Sequence, residues 1–158
     1  MMSRVMLAVV VGLLLATGPA FAEPASDTNM QILKEKLKAD KKLLIASNMD
    51  LTDAEAKQFW PVYDAYQKDL DAINKQLGKT IQDYADAFNN GNIPNDTAKK
   101  LLNEALSIEE QEVKLKRTYA DKLAKVLPAT KVARYIQMET KIRSVIKYEM
   151  AQEIPLVY

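Results

Sequence analysis

The sequence predicts an all-α fold of four helices, two of which form a long, kinked antiparallel αα-hairpin. Three observations carry this reading. Between Leu51 and Asn89 the large apolar residues Phe59, Tyr63, Tyr66, Leu70, Ile73, Leu77, Ile81, Tyr84 and Phe88 recur at steps of 3 or 4, the spacing that lines up one face of an α-helix. The run Asn89-Asn90-Gly91-Asn92-Ile93-Pro94 then interrupts the pattern with turn-forming residues. Two further segments with helical spacing follow, at about 96–126 and 129–152, separated by Leu127-Pro128.

The first 22 residues stand apart from this pattern. A short basic start ending at Arg4, an apolar run from Val5 to Thr17 and an Ala20-Phe21-Ala22 cleavage site have the layout of a secretory signal peptide. The run is shorter than the about 20 residues that a membrane-spanning helix needs. No cysteine follows it, which excludes a lipid-modified N-terminus at this site. The expectation is a periplasmic or secreted chain without an integral membrane span, beginning near Glu23. Residues 23–29 read as a flexible polar linker, and 30–158 as a single helical domain.

A first helix is expected over about 30–47, where Met30, Leu33, Leu37 and Leu44 fall at helical intervals between lysines. Asn48-Met49-Asp50 makes a turn, and Leu51-Thr52-x-x-Glu55 then matches a capping box. In that motif the Thr52 hydroxyl accepts from a backbone N–H while Glu55 reaches back to the cap. The second helix should run over 52–89, roughly 55 Å at about 1.5 Å per residue. Pro61 lies well inside it and removes one backbone hydrogen bond, so a kink is expected there, with the apolar phase preserved on both sides. Trp60 falls beside the main stripe, where it either packs on the first or last helix or serves as an exposed aromatic anchor.

Asn95 or Asp96 is the expected cap of the third helix. That helix carries Leu101, Ala105, Ile108, Leu115, Tyr119 and Val126 on one stripe and Leu102, Leu106, Val113, Leu123 and Leu127 on the next. So wide an apolar face should touch more than one neighbour. Glu112 falls in phase with the first stripe and is expected at a solvent-facing edge. The fourth helix presents Tyr135, Met138, Ile142 and Val145, then Val132, Ile136, Ile146 and Met150. Glu139 and Arg143 are spaced for an i,i+4 ion pair. Arg134, Gln137, Lys141 and Ser144 form a polar, basic face, and the apolar tail Ile154–Tyr158 should dock on the body or on a second subunit.

Composition narrows the function classes. Without the leader the chain carries 21 basic and 21 acidic residues, a balance unlike the basic excess of nucleic-acid binders. There is no cysteine and no histidine. Packing must therefore provide stability in place of disulfides, and the usual zinc, copper and haem ligand sets are missing. No phosphate loop or nucleophile–base pair is present either. A non-enzymatic protein without metal or other cofactor is expected. Any partner-binding role would fall to the helical surface, with Trp60, Tyr63, Arg134 and Lys141 as the residues singled out for it.

Leu51, Thr52 and Glu55, set between a basic first helix and a long hairpin, give the chain its family likeness. It resembles the Spy/CpxP (LTXXQ-motif) periplasmic family, with Glu55 where the motif has Gln. Leu127-Pro128-Ala129-Thr130-Lys131 loosely represents that family's second motif. The resemblance implies a cradle-shaped homodimer of long helices that binds partly folded envelope proteins without ATP, or damps envelope-stress signalling. Metal-responsive members of the wider group rely on histidine or cysteine, which this chain lacks. The rival reading is a scaffold that docks one fixed envelope partner or a membrane surface.

Overall fold

The computed structural model describes residues 27–157, with side chains from Lys38 onward. The expected leader, and the linker as far as residue 26, lie outside the described residues. Within them the chain is four helices and no strand: α1 Asp27–Met49, α2 Asp53–Asn89, α3 Asn95–Leu123 and α4 Ala129–Glu153. None of these helices is long and apolar enough to cross a membrane.

Local chemistry sets the boundaries. Asp50 adopts a φ of 47°, a left-handed conformation that aspartate tolerates better than most residues, and this reverses the chain after α1. The capping box forms in full. The Glu55 N–H donates to the Thr52 hydroxyl at 3.3 Å, and the Thr52 N–H donates to the Glu55 carboxylate at 2.8 Å. α2 then continues through Pro61 as one element. Pro61 is exposed, so the hydrogen bond it removes is lost on the wet side of the helix. At the hairpin turn Gly91 takes a φ of 85°, a conformation that costs glycine little.

The expected asparagine or aspartate cap of α3 does not form. Pro94 occupies the cap position without a side-chain hydrogen bond, and its carbonyl accepts from the Ala98 N–H at 2.9 Å. Pro128 does the same for α4, accepting from Lys131 and Val132. In both cases proline fixes φ near its helical value where an N–H has no intrahelical partner to lose. α3 also ends at Leu123, short of the expected 126, and backbone-bonded turns then lead to the buried Leu127. α1 in turn is longer than expected, reaching Met49.

α2 and α3 pair antiparallel, with Thr80 beside Glu104, Gln76 beside Gln111 and Asp69 beside Tyr119. α4 runs parallel to α2, since Glu55, Gln67, Asn74 and Tyr84 meet Lys131, Glu139, Arg143 and Pro155 in that order. α1 runs antiparallel to α2, with Lys41 at Gln67 and Lys42 at Asp64.

Every large residue of the α2 stripe is buried or half-buried. Its N-terminal half meets all three other helices in a core of Ile45, Met49, Phe59, Tyr63, Tyr66, Tyr119, Leu123, Leu127, Val132 and Tyr135. The Tyr135 ring packs edge-on to Phe59 at 5.2 Å, and Tyr66 packs edge-on to Tyr119 at 5.3 Å, the arrangement favoured by the aromatic quadrupole. Farther along, Ile73, Ile81 and Ala85 of α2 and Leu101 and Ile108 of α3 are buried where these two helices pair. The tail completes this end, where the Tyr84 hydroxyl donates to the Pro155 carbonyl at 2.7 Å. Ile154 and Pro155 are half-buried, but Leu156 and Val157 stand out in solvent.

Phe59 is fully buried, so Phe59→Ala is expected to lower unfolding free energy by about 3–5 kcal/mol in denaturant titrations. The half-buried Phe88 should lose clearly less on the same change. Equal losses would contradict a core concentrated at the α1 end.

Candidate interaction surface on the outer face of helix α4

Three polar seams hold α4 in place. At the core end, Lys131 donates to the Glu55 carboxylate at 2.6 Å and to the Asp50 carbonyl at 2.7 Å. The Lys131 hydrogen bond, more than any other contact, holds the Glu55 carboxyl below its ordinary value. The helix cap is thus also a tie between α2 and α4.

The second seam is centred on Glu139, which is 3% exposed. Lys41 of α1 and Gln67 of α2 each donate to its carboxylate at 2.8 Å, and Lys41 also donates to the Gln67 carbonyl oxygen at 2.8 Å. The expected Glu139–Arg143 pair is replaced by these bonds between helices. Burial, and then the Glu139 charge, push the Tyr63, Tyr66 and Tyr135 hydroxyls well above their ordinary value. All three remain neutral at physiological pH.

Arg143 instead pairs with Glu112 of α3 and donates to Asn74 of α2 at 2.9 Å. Lys147 adds a second cation 3.2 Å from Glu112. The expectation that Glu112 turns to solvent is overturned: it is 5% exposed. Its phase placed it inward correctly, and cations from α4 make its burial tolerable. Burial pushes this carboxyl up, while the Arg143 hydrogen bond and charge, with Lys147, outweigh burial and hold it below its ordinary value of 4.5.

Held this way, α4 turns one face outward. Arg134, Lys141, Val145 and Tyr148 lie at intervals of 7, 4 and 3 along it, which places them on one side of the helix. All four are exposed, Val145 by 52% and Tyr148 by 64%. Neither Arg134 nor Lys141 has an ion-pair or hydrogen-bond partner among the described residues. The face therefore offers cations unengaged by any described residue toward its N-terminal part and apolar surface toward its C-terminal part.

The other two residues singled out from the sequence lie elsewhere. Tyr63 is 3% exposed and belongs to the core. Trp60 is half-buried at the α1–α2 seam, edge-on to Phe59 at 4.9 Å and Tyr63 at 5.3 Å, with the Lys42 ammonium 5.0 Å from its ring centre. The four residues do not form one patch. Val145, expected on a packed stripe, is exposed, and so is Tyr148, which the apolar spacing does not single out. Their position beside Lys141 and Ser144 on the helical wheel was the available signal.

Other features offer less chemistry. Among the described residues no cluster of three or more His, Cys, Asp or Glu side chains could hold a metal ion. An open groove of about 650 Å³ lies on the far part of the hairpin, lined by polar residues including Gln76, Thr80, Lys99, Glu104 and Gln111. Two of its lysines, Lys79 and Lys100, are engaged by Asp83 and Glu104. Comparison with protein-family models, with curated proteins and with solved structures gives no match for this chain.

Because its carboxyl is held below 4.5 in the folded chain, Glu112 contributes stability that is complete above the unfolded value and lost as pH falls through the folded one. Glu112→Gln should cost about 3 kcal/mol at pH 7 by stranding the largely buried Arg143 guanidinium. The deficit against the native chain should shrink on acidification below about pH 4.5, as read by thermal melting from pH 7 to 3. A deficit unchanged across that range would contradict the assigned pair.

Proposed function

We propose that this protein is a non-enzymatic, chaperone-like helical protein of the cell envelope, similar to the Spy/CpxP family and homodimeric. It binds partly folded proteins through exposed apolar and basic helical surface, without ATP or cofactor. The observation that carries this reading is the outer face of α4, where Arg134 and Lys141, without a partner among the described residues, share one side of the helix with exposed Val145 and Tyr148.

Partly folded chains expose mixed apolar and acidic segments, and a surface of this kind gains from both without demanding one shape. Leu43 and Leu44 on α1 and Leu156 and Val157 at the tail add exposed apolar area, at 48–83% exposure each. Contiguous apolar surface bordered by polar groups is characteristic of protein-binding sites, and adaptable contacts suit promiscuous binding. The seams centred on Glu55, Glu139 and Glu112 keep this surface open by fixing the inward face of α4, so that the core is satisfied without it.

Light scattering of an aggregating client should show suppression at equimolar protein. The Val145→Asp, Tyr148→Ser double variant should bind roughly tenfold more weakly, about 1.4 kcal/mol. No suppression at equimolar or higher ratios would remove the proposal, and saturable binding to one folded envelope partner or to vesicles in its place would support the scaffold reading.

A further inference from the structure

The outer side of α3 carries a pattern that the α4 face does not use and that the core touches only at Ala120. Leu102, Leu106 and Val113 are 58%, 50% and 58% exposed. Ala120, half-buried against the core, and Ala124, the exposed C-cap residue whose backbone continues the helical turn, extend their line. The intervals along this line are 4, 7, 7 and 4, which keep all five residues on one helical face and read the same in either direction about Val113. Size is arranged with opposite sense, two leucines before the centre and two alanines after it.

Charge follows the same centre. Glu109 and Glu110 precede Val113 by four and three residues, and Lys116 and Arg117 follow it by three and four. No ion pair among the described residues engages Glu110, Lys116 or Arg117, and Glu109 has only a contact of 3.5 Å to Lys147. On the helical wheel Glu110 lies on the same flank as Arg117, and Glu109 on the same flank as Lys116.

We infer that this face of α3 binds the same face of a second copy, antiparallel, with the two-fold axis beside Val113. The axis sets Leu106 against Ala120 and Leu102 against Ala124 of the other copy, large into small. It also sets Glu110 against Arg117 and Glu109 against Lys116, each pair occurring twice. A line closing at 3.5 residues per turn about Val113 is the spacing of a helix–helix seam, and it extends roughly 33 Å at about 1.5 Å per residue. A surface for varied clients has no need of such a centre, whereas a two-fold interface must be complementary to itself. This assigns a face and a register to the homodimer of the preceding reading and rests on that part of it alone. A monomer that still suppresses aggregation would remove this inference and spare client binding, and a dimer that fails to suppress would do the reverse.

The test is sedimentation of the exported chain from micromolar to roughly 100 μM, with helical content monitored. A dimer is expected. Glu110→Arg and Arg117→Glu should each weaken it roughly tenfold by opposing like charges, and the two changes together should restore it to within about threefold. Because the native chain lacks cysteine, Val113→Cys should form a disulfide-linked dimer on mild oxidation, while Ser107→Cys, about a third of a turn away on the helix, should not. Both sites are exposed, so neither change disturbs the core. A monomer throughout that range, a dimer indifferent to the charge variants, or equal cross-linking at positions 107 and 113 would each overturn the inference.

Discussion

Everything else in this fold answers to one constraint, the unbroken apolar stripe of α2. Its residues from Phe59 to Phe88 stay in phase through Pro61. Leaving such a stripe in water would cost about 25 cal/mol for each Å² of apolar area. No single neighbour matches its 37 residues, since α3 has 29 and α4 has 25. The stripe is therefore covered in sections: by α1, α3 and α4 over its N-terminal half, and by α3 with the docked tail farther on. The aromatic residues concentrate where all four helices meet, because only there is a large ring enclosed on every side.

The same geometry explains where charge is buried. Glu112 and Glu139 lie at positions where an amphipathic helix ordinarily carries apolar residues, yet each meets a cation from another helix. Such pairs are weak sources of net stability, because desolvation offsets much of the attraction. Their stronger effect is on register, since sliding α4 by one turn would strand Lys41, Arg143 and two carboxylates together. Lys131, joined to the α2 cap, adds a third point of reference near the core. α4 is thereby fixed in rotation as well as position, and the face it turns to solvent is a consequence of the contacts on its other side.

Two surfaces result, with different chemistry. The α4 face is basic at one end and apolar at the other, without an internal centre. The α3 face is apolar along its line, flanked by charges of both signs arranged about Val113. In the proposed reading the first serves variable partners and the second serves an identical one. The division follows from the fold, since α3 contacts α2 along one side and α4 along another, while Leu102, Leu106 and Val113 on its remaining side stay exposed among the described residues.

Periodicity and turn chemistry determine most of the secondary structure here. The 3-and-4 spacing of α2, the capping box at Thr52 and Glu55 and the Asn-Gly-Pro breaker are local features, readable because hydrogen-bonded turns depend on neighbouring residues. The proline caps of α3 and α4 were less visible, since a backbone carbonyl alone does the capping. The inward phase of Glu112 was also written in the sequence. What made that burial tolerable was not, because Arg143 and Lys147 are 31 and 35 positions away and reach it only when α4 folds back along the hairpin. For the same reason Glu139 pairs with Lys41 instead of its i+4 neighbour, and Val145 is exposed while Ile142 is half-buried. A helix can offer several apolar and charged faces, all readable from the order of its residues; which of them find a partner follows from the folded arrangement, because burial depends on where distant segments come to lie.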